Sequence, residues 1–461
     1  MISYSNVMAI LAFTVLAFTG IGILYSRGKI ETMDDFLTAR GSTGSKMLSA
    51  TFLASFLGVF ILFTPPEAGS IGGLTTIIGY AAGVGSLYVA FLVLSPKIRG
   101  YLPEGSTLND FVLKRYGSKM YVLTVLLSLF YMFVHLVAEL TSIGLVAYEL
   151  AGIPLIYTAL LVGLGTMAYT IYGGLRASIF TDMIQMILVV VLLIIVSVGV
   201  LFYVGGIGEI IIKANKNAPQ LFDFSNRGGI EFGLTLCIAV FAANLFHQGY
   251  WQRVYAGKDN IAIKKSLITC ILIAIPVMLL TGFLGIISTG LGVAESPSAA
   301  LFSLVYTHFP IGLIIAVFIL ALVLVMSTVD TLLNAMVASF TLDGHRLLKN
   351  IKKDSLLTFA RIATVIIIIP ATLISAKGYS VLYLFFVADL VCAGVFFPIF
   401  YGLFNPRLTE KIALAAALLG ITAGVPFFMT NKLLISFALP VVVSAAVCII
   451  GSSLVKEKSI A

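Results

Sequence analysis

Apolar runs too long for any water-soluble core decide the fold class of this chain. The clearest is Ile311–Arg346, which opens as IGLIIAVFILALVLVM and then turns polar in mid-helix at Ser327, Thr328, Asp330, Thr331 and Asn334. Lipid offers no water to backbone N–H and C=O groups, so only helices and closed barrels cross it. The runs lack a period-2 alternation and exceed 18 residues, which selects helices over a barrel. At about 100° per residue, Ser327, Asp330, Thr331 and Asn334 share one stripe of such a helix, with Thr328 beside it. A carboxylate near the bilayer centre costs about 2.5–3.5 kcal/mol on insertion scales, so Asp330 should face the bundle interior and have a partner. Hydroxyls and a carboxylate without sulfur or imidazole nearby form an oxygen-rich set that suits a hard cation. The alternative is that the hydroxyls hold helices together and Asp330 is paired structurally.

Only 10% of the residues are charged, against about 25% in soluble proteins, so the chain reads as an all-α polytopic membrane protein. Thirteen spans are expected, near 4–25, 46–71, 74–95, 120–149, 153–172, 177–204, 231–255, 264–290, 311–345, 355–376, 379–404, 410–430 and 433–455. The net charge of +8 sets orientation and does not imply a nucleic-acid partner. With the N-terminus outside and the C-terminus cytoplasmic, 23 of the 28 basic residues, Arg253 among them, fall in cytoplasmic loops. The first apolar run is preceded by MISYSN, without a basic n-region, and followed by Arg27 and Lys29, which reads as a first span and not a cleaved signal. Cys237, Cys270, Cys392 and Cys448 are scattered through apolar segments, and no CxxC or HExxH spacing occurs. No obligate protein partner is inferred. The loop 205–229 would cap the outside, and 102–119 would form a short amphipathic cytoplasmic helix.

Two spans look broken. The second carries Ala54, Ser55 and Gly58 and then Pro65-Pro66; the seventh carries Asn244, His247, Gln248 and Gly249 in an apolar frame. Either these are kinked helices whose polar groups are satisfied by neighbours, or they are the discontinuous helices of a transporter. In the second case spans 2–6 (about 46–204) and 7–11 (about 231–404) form an inverted repeat, flanked by 1–25 and 410–455, all in one transporter domain. The two breaks then meet near the midplane, so that Asn244, His247 and Gln248 line a solute cavity with Phe56 and Gly58.

Other intramembrane polar residues need a role as well. Asp182 lies inward of Arg176, six residues away and so a poor helical neighbour, which favours an ion or gating role. His135 and Glu139 stand at i, i+4 and could relay protons or form a structural pair. Asp389 is a buried acid with no partner evident from sequence. No catalytic constellation is present, so no enzyme activity is expected.

The run YGGLRASIFTDMIQM resembles the signature of the sodium:solute symporter family, which builds a LeuT-type fold, a 5+5 inverted repeat with one extra span ahead of it. HQGYWQRVYAGKD is similar to that family's seventh-span motif, MSTVDTLLNAMVASFTLDGHR to its ninth-span sodium motif, and DDFLTARG to the segment ahead of span 2. The resemblance implies a sodium site built from the carbonyls of Ala54, Leu57 and Leu324 and the hydroxyls of Ser327 and Thr328. It also implies a possible second ion site at Asp182, Asp330 and Thr331, where Asp330 replaces a hydroxyl with a carboxylate. His247 stands where sugar carriers place an aromatic gate, and Phe56 where proline carriers have an acid; both departures count against those solutes.

The expectation is therefore a secondary transporter that couples sodium, the co-transported ion, to uptake of a small polar solute of the sugar, amino acid, urea or carboxylate class across the cell membrane. Proton coupling through His135–Glu139, or a solute sensor that has lost transport, are the alternatives. Asp182 and Asp330, taken as unpaired acids, would share a second cation.

Overall fold

The computed structural model describes residues 2–28, 36–203, 206–348 and 356–455. In chain order, α1 is Tyr4–Ser26, α2 Ser45–Phe56, α3 Thr64–Tyr101, α4 Leu108–Tyr116, α5 Ser118–Ala151 and α6 Leu155–Tyr203. Then come α7 Ile207–Asn217, α8 Arg227–Asn244, α9 Gln248–Ala256, α10 Asn260–Gly290, α11 Ala300–His308, α12 Ile311–Leu348 and α13 Leu356–Ser375. The order closes with α14 Val381–Ala393, α15 Phe396–Tyr401, α16 Glu410–Met429 and α17 Leu433–Ser453. Among the described residues the only extended pairing is one bridge between Thr43 and Gly257.

Nine of the described helices are individually long and apolar enough to cross a bilayer. Two of them contain a further crossing. α3 reverses at Gly73 (φ 72°) and α6 at Gly174 (φ 52°), left-handed backbone that glycine adopts without a Cβ penalty. Counting those turns, the pair α8–α9 bent by 57°, and α14 with α15, the path makes the thirteen crossings expected from sequence. The outermost helices present apolar side chains outward, as a lipid-facing surface requires: Phe13 and Leu24 on α1, Ile194 on α6, Val442 and Ile450 on α17.

Inside the bundle, helices approach through small residues. A Cβ on Gly69 of α3 would run into the Gly282 carbonyl of α10, and one on Gly79 into the backbone at Gly233 of α8. Such contacts let backbones pack closely where lipid gives no hydrophobic drive to associate.

Both expected breaks are present. α2 ends at Phe56, Leu57 leaves helical torsions (φ −80°, ψ 78°), and Val59–Leu62 form a single 3-10 turn before α3 restarts at Thr64 with Pro65 and Pro66 in its first turn. Proline suits that position because a first-turn N–H would be unpaired anyway. The carboxylate of Glu139 on α5 accepts the freed Val59 N–H at 2.9 Å. The second break lies between Asn244, which ends α8, and Gln248, which opens α9.

The amphipathic helix expected within 102–119 is α4. Its first turn is held by Asp110, which accepts the N–H groups of Ser106 (2.7 Å) and Thr107 (3.2 Å). Lys29, Asp34 and Asp35, and Lys349, Lys352, Lys353, Lys456 and Lys458 of the cytoplasmic basic count, lie outside the described residues.

Candidate ion and solute site

The polar stripe of α12 faces the bundle core, and its residues are buried. Ser327 Oγ lies 2.9 Å from the Ala54 carbonyl, at the end of α2, and 2.6 Å from Asp182 Oδ1 on α6. One hydroxyl proton can satisfy only one of these acceptors at a time, so three oxygens crowd a single hydrogen. Thr328 Oγ1 donates to the Leu324 carbonyl at 3.1 Å, one turn earlier on α12. Leu57, whose carbonyl no longer follows the axis of α2, lies fully buried at the same break. Ala54 therefore meets Ser327 where the break in α2 reaches α12, with Thr328 and Leu324 on the same stretch of that helix.

Asp182 is not an unpaired acid, and here the sequence reading needs correction. Arg253 of α9 is fully buried, and its Nη2 lies 2.9 Å from Asp182 Oδ2. The same nitrogen reaches Thr331 Oγ1 at 2.8 Å and Ser178 Oγ at 3.3 Å. Nε donates to Thr51 Oγ1 at 2.7 Å, and Nη1 to the Gly249 carbonyl at 3.1 Å. One guanidinium thus ties α2, α6, α9 and α12 together. Counting charges along the sequence puts Arg253 in a cytoplasmic loop, because it follows the polar break of span 7 and precedes three lysines. The helix instead carries it inward, leaving 22 basic residues on the cytoplasmic side of that count.

Asp330 has its own partners, all neutral. Its carboxylate accepts from Tyr169 OH (2.7 Å), Ser178 Oγ (2.8 Å) and Thr181 Oγ1 (3.3 Å). The region read as a second ion site thus holds two carboxylates, a ring of hydroxyls and a cation that belongs to the protein.

Toward the opposite end of the bundle from α4 lies a small central cavity of about 30 Å³. Phe56 and Asn244 line it, together with His135, Tyr131, Phe385 and Asp389. Gly58, His247 and Gln248 are not among its lining residues. Gly58 packs so closely on Glu139 that a Cβ there would overlap the carboxylate. His247 stacks on Tyr250 with ring centroids 4.2 Å apart, edge-on to His135 at 5.8 Å. Gln248 points the other way: its Oε1 accepts the Leu108 N–H at 2.8 Å and its Nε2 donates to Ser128 Oγ at 2.8 Å.

That bond is part of a latch on α4. Asn109 Nδ2 and Tyr121 OH each donate to Asp343 of α12 at 2.8 Å, and Arg346 pairs with Asp110. Sequence spacing gave no sign of this latch, whose members lie up to 236 positions apart. The His135–Glu139 pair is 4.0 Å apart, too long for a hydrogen bond, and the other Glu139 oxygen serves the break in α2.

A helical membrane bundle with two broken helices meeting at a buried oxygen cluster and a small cavity defines a secondary active transporter of the LeuT type. The sequence profile of the sodium:solute symporter family matches residues 36–420, and the chain belongs to that family. It is accordingly an integral membrane, sodium-coupled solute symporter, and not an enzyme. Among its relatives, the spermidine transporter DUR31 of Candida albicans is 28% identical over 87% of this chain and 74% of its own length. The sodium/glucose cotransporter of Vibrio parahaemolyticus is 26% identical over 94% of this chain and 86% of its own. A solved sodium-coupled sialic acid symporter, in a substrate-bound outward-open state, superposes with a TM-score of 0.79 over 97% of both chains at 18% identity, which extends the likeness to the fold.

Proposed function

We propose that one sodium ion binds between the break in α2 and the stripe of α12, held by the carbonyls of Ala54, Leu57 and Leu324 and the hydroxyls of Ser327 and Thr328. The observation that carries this reading is Ser327 Oγ wedged between the Ala54 carbonyl and the Asp182 carboxylate with one proton to share. A cation relieves that crowding and fixes α2 against α12. Sodium can drive the cycle only through a difference in affinity between states, and a junction of two helices that separate supplies one.

The count of one ion follows from charge. With Asp182 and Asp330 ionised, Arg253 balances one of them and a single sodium balances the other. The relatives' named solutes, spermidine and glucose among them, differ in charge and size, so they leave the solute open within the small polar class. The charge bias supports insertion into the plasma membrane with the N-terminus outside and α4 in the cytoplasm. The two breaks at matching positions support halves of about 46–204 and 231–404 related by an inverted repeat.

The test is Ser327→Ala with Thr328→Ala in proteoliposomes under an imposed sodium gradient. Sodium-driven accumulation should vanish, and sodium should no longer raise the melting temperature of the purified protein. Sodium protection equal to wild type in the double variant would place the ion elsewhere.

A further inference from the structure

The central cavity has one ionised-type side chain with nothing to pair with. Asp389 of α14 is 6% exposed, lines the cavity, and has neither hydrogen bond nor ion pair among the described residues. Among the described residues, no lysine or arginine lines the cavity. The one buried guanidinium near the core, Arg253, is committed to Asp182. An acid so placed is costly in a low-dielectric interior unless the site's ligand supplies the opposite charge.

The walls around Asp389 are aromatic. Phe56, Phe60, Tyr80, Tyr131, Phe385 and Phe386 surround the space, and Phe60 meets Phe385 edge-on at 5.4 Å. Ring faces attract a cation through their quadrupole, and aromatic cages recognise ammonium groups. His135 also lines the space, and neither of its ring nitrogens has a hydrogen-bond partner among the described residues, so it offers an acceptor to an N–H donor. The space available suits an ammonium head with its first methylene groups. A sugar ring, which needs several paired hydroxyl partners, would meet mostly hydrocarbon.

A second, larger cavity of about 310 Å³ lies next to the first, on the side away from α4. Residues close in sequence line the two: Phe63 and Val381 the outer one, Phe60 and Leu382 the inner. Two carboxylates, Glu67 and Glu149, line the outer cavity, and again no basic residue does. Acids in the outer cavity and an unpaired acid in the inner one concentrate cations and repel anions.

From these observations we infer that the solute is a small organic cation, an amine or quaternary ammonium compound, whose positive group sits within the ring cage against Asp389. This rests on the symport reading above and narrows its solute.

The test uses the full-length protein in proteoliposomes with an inward sodium gradient and a panel of radiolabelled probes: putrescine, choline, urea, glucose and acetate. Putrescine or choline should accumulate at least tenfold above the neutral and anionic probes. Asp389→Asn should raise the half-saturating concentration of that cation at least tenfold, while Asp389→Glu restores part of the loss. Sodium-induced thermal protection, retained in Asp389→Asn, shows that the variant is folded and still binds its ion. Sodium-driven uptake of urea, glucose or acetate, uncompeted by the amines, overturns this inference and leaves symport standing. Cation uptake indifferent to Asp389→Asn overturns it as well. Absence of sodium-dependent uptake for every probe, in protein that sodium still protects, would count against this inference first; loss of both uptake and protection would remove the symport reading beneath it.

Discussion

Replacing Arg253 by glutamine separates a fixed protein cation from a mobile one. The change deletes a guanidinium whose Nη2 is within 2.8–3.3 Å of Thr331 Oγ1, Asp182 Oδ2 and Ser178 Oγ. Both partners of the ion pair are 0% exposed, so screening by solvent is absent. Breaking a buried pair from one side typically costs about 3–5 kcal/mol, because the surviving charge is left uncompensated. Removing both charges with Asp182→Asn should cost less than the sum of the single changes, with a coupling of at least ~2 kcal/mol. The assay is a double-mutant cycle on unfolding in mixed detergent, run with potassium in place of sodium. The same variant predicts an ion count. Removing Nη2 leaves three oxygens and a net negative charge around its former position, a place for a second sodium. The wild-type Hill coefficient for sodium should be near one, and that of Arg253→Gln should rise toward two wherever the variant remains folded. An additive cycle, or a wild-type coefficient of two that Arg253→Gln leaves unchanged, would refute the argument that the guanidinium stands in for a cation.

Three further outcomes follow from the geometry. Gly58→Ala should destabilise the break in α2 by about 2 kcal/mol or more, since its methyl group would enter the Glu139 carboxylate; sodium protection in a thermal-shift assay should fall with it. Arg346→Ala, which removes a half-exposed partner of Asp110, should cost no more than about 1 kcal/mol of stability yet shift cysteine accessibility at Ser128 toward the open side, measurable by maleimide labelling. A cysteine at Ser298 should label from outside sealed cells and one at Ser118 only after permeabilisation; the reverse pattern would invert the orientation.

The long apolar runs and the glycine-proline interruptions made the helical class and both breaks legible, because lipid enforces backbone pairing within each segment. The α12 stripe was legible for the same reason: 3.6-residue periodicity puts Ser327, Asp330 and Thr331 on one face whatever surrounds the helix. Partners brought by other helices were not. Asp182 and Arg253 are 71 positions apart, and nothing local distinguishes an arginine after a polar break from one that anchors a cytoplasmic loop. The only hint was that QGYWQR sits in a short helix whose remaining side chains are apolar or aromatic. Gln248 misled in the opposite sense: a polar residue at a break suggests a cavity, but its amide is used by the backbone of α4. Asp389 reads from sequence as an acid without a partner, and among the described residues it has none.

α9 bears Gln248 at one end, bound to α4, and Arg253 five residues on, paired with Asp182. Its nine residues form a stiff rod, and five of them span about 7.5 Å of its axis. A tilt of about 10° about the Gln248 end would swing the far backbone by ~1.3 Å, a large share of the slack in a hydrogen bond. The nine-residue helix therefore couples its two ends like a lever, so that neither the latch on α4 nor the Arg253–Asp182 pair can be displaced without straining the other.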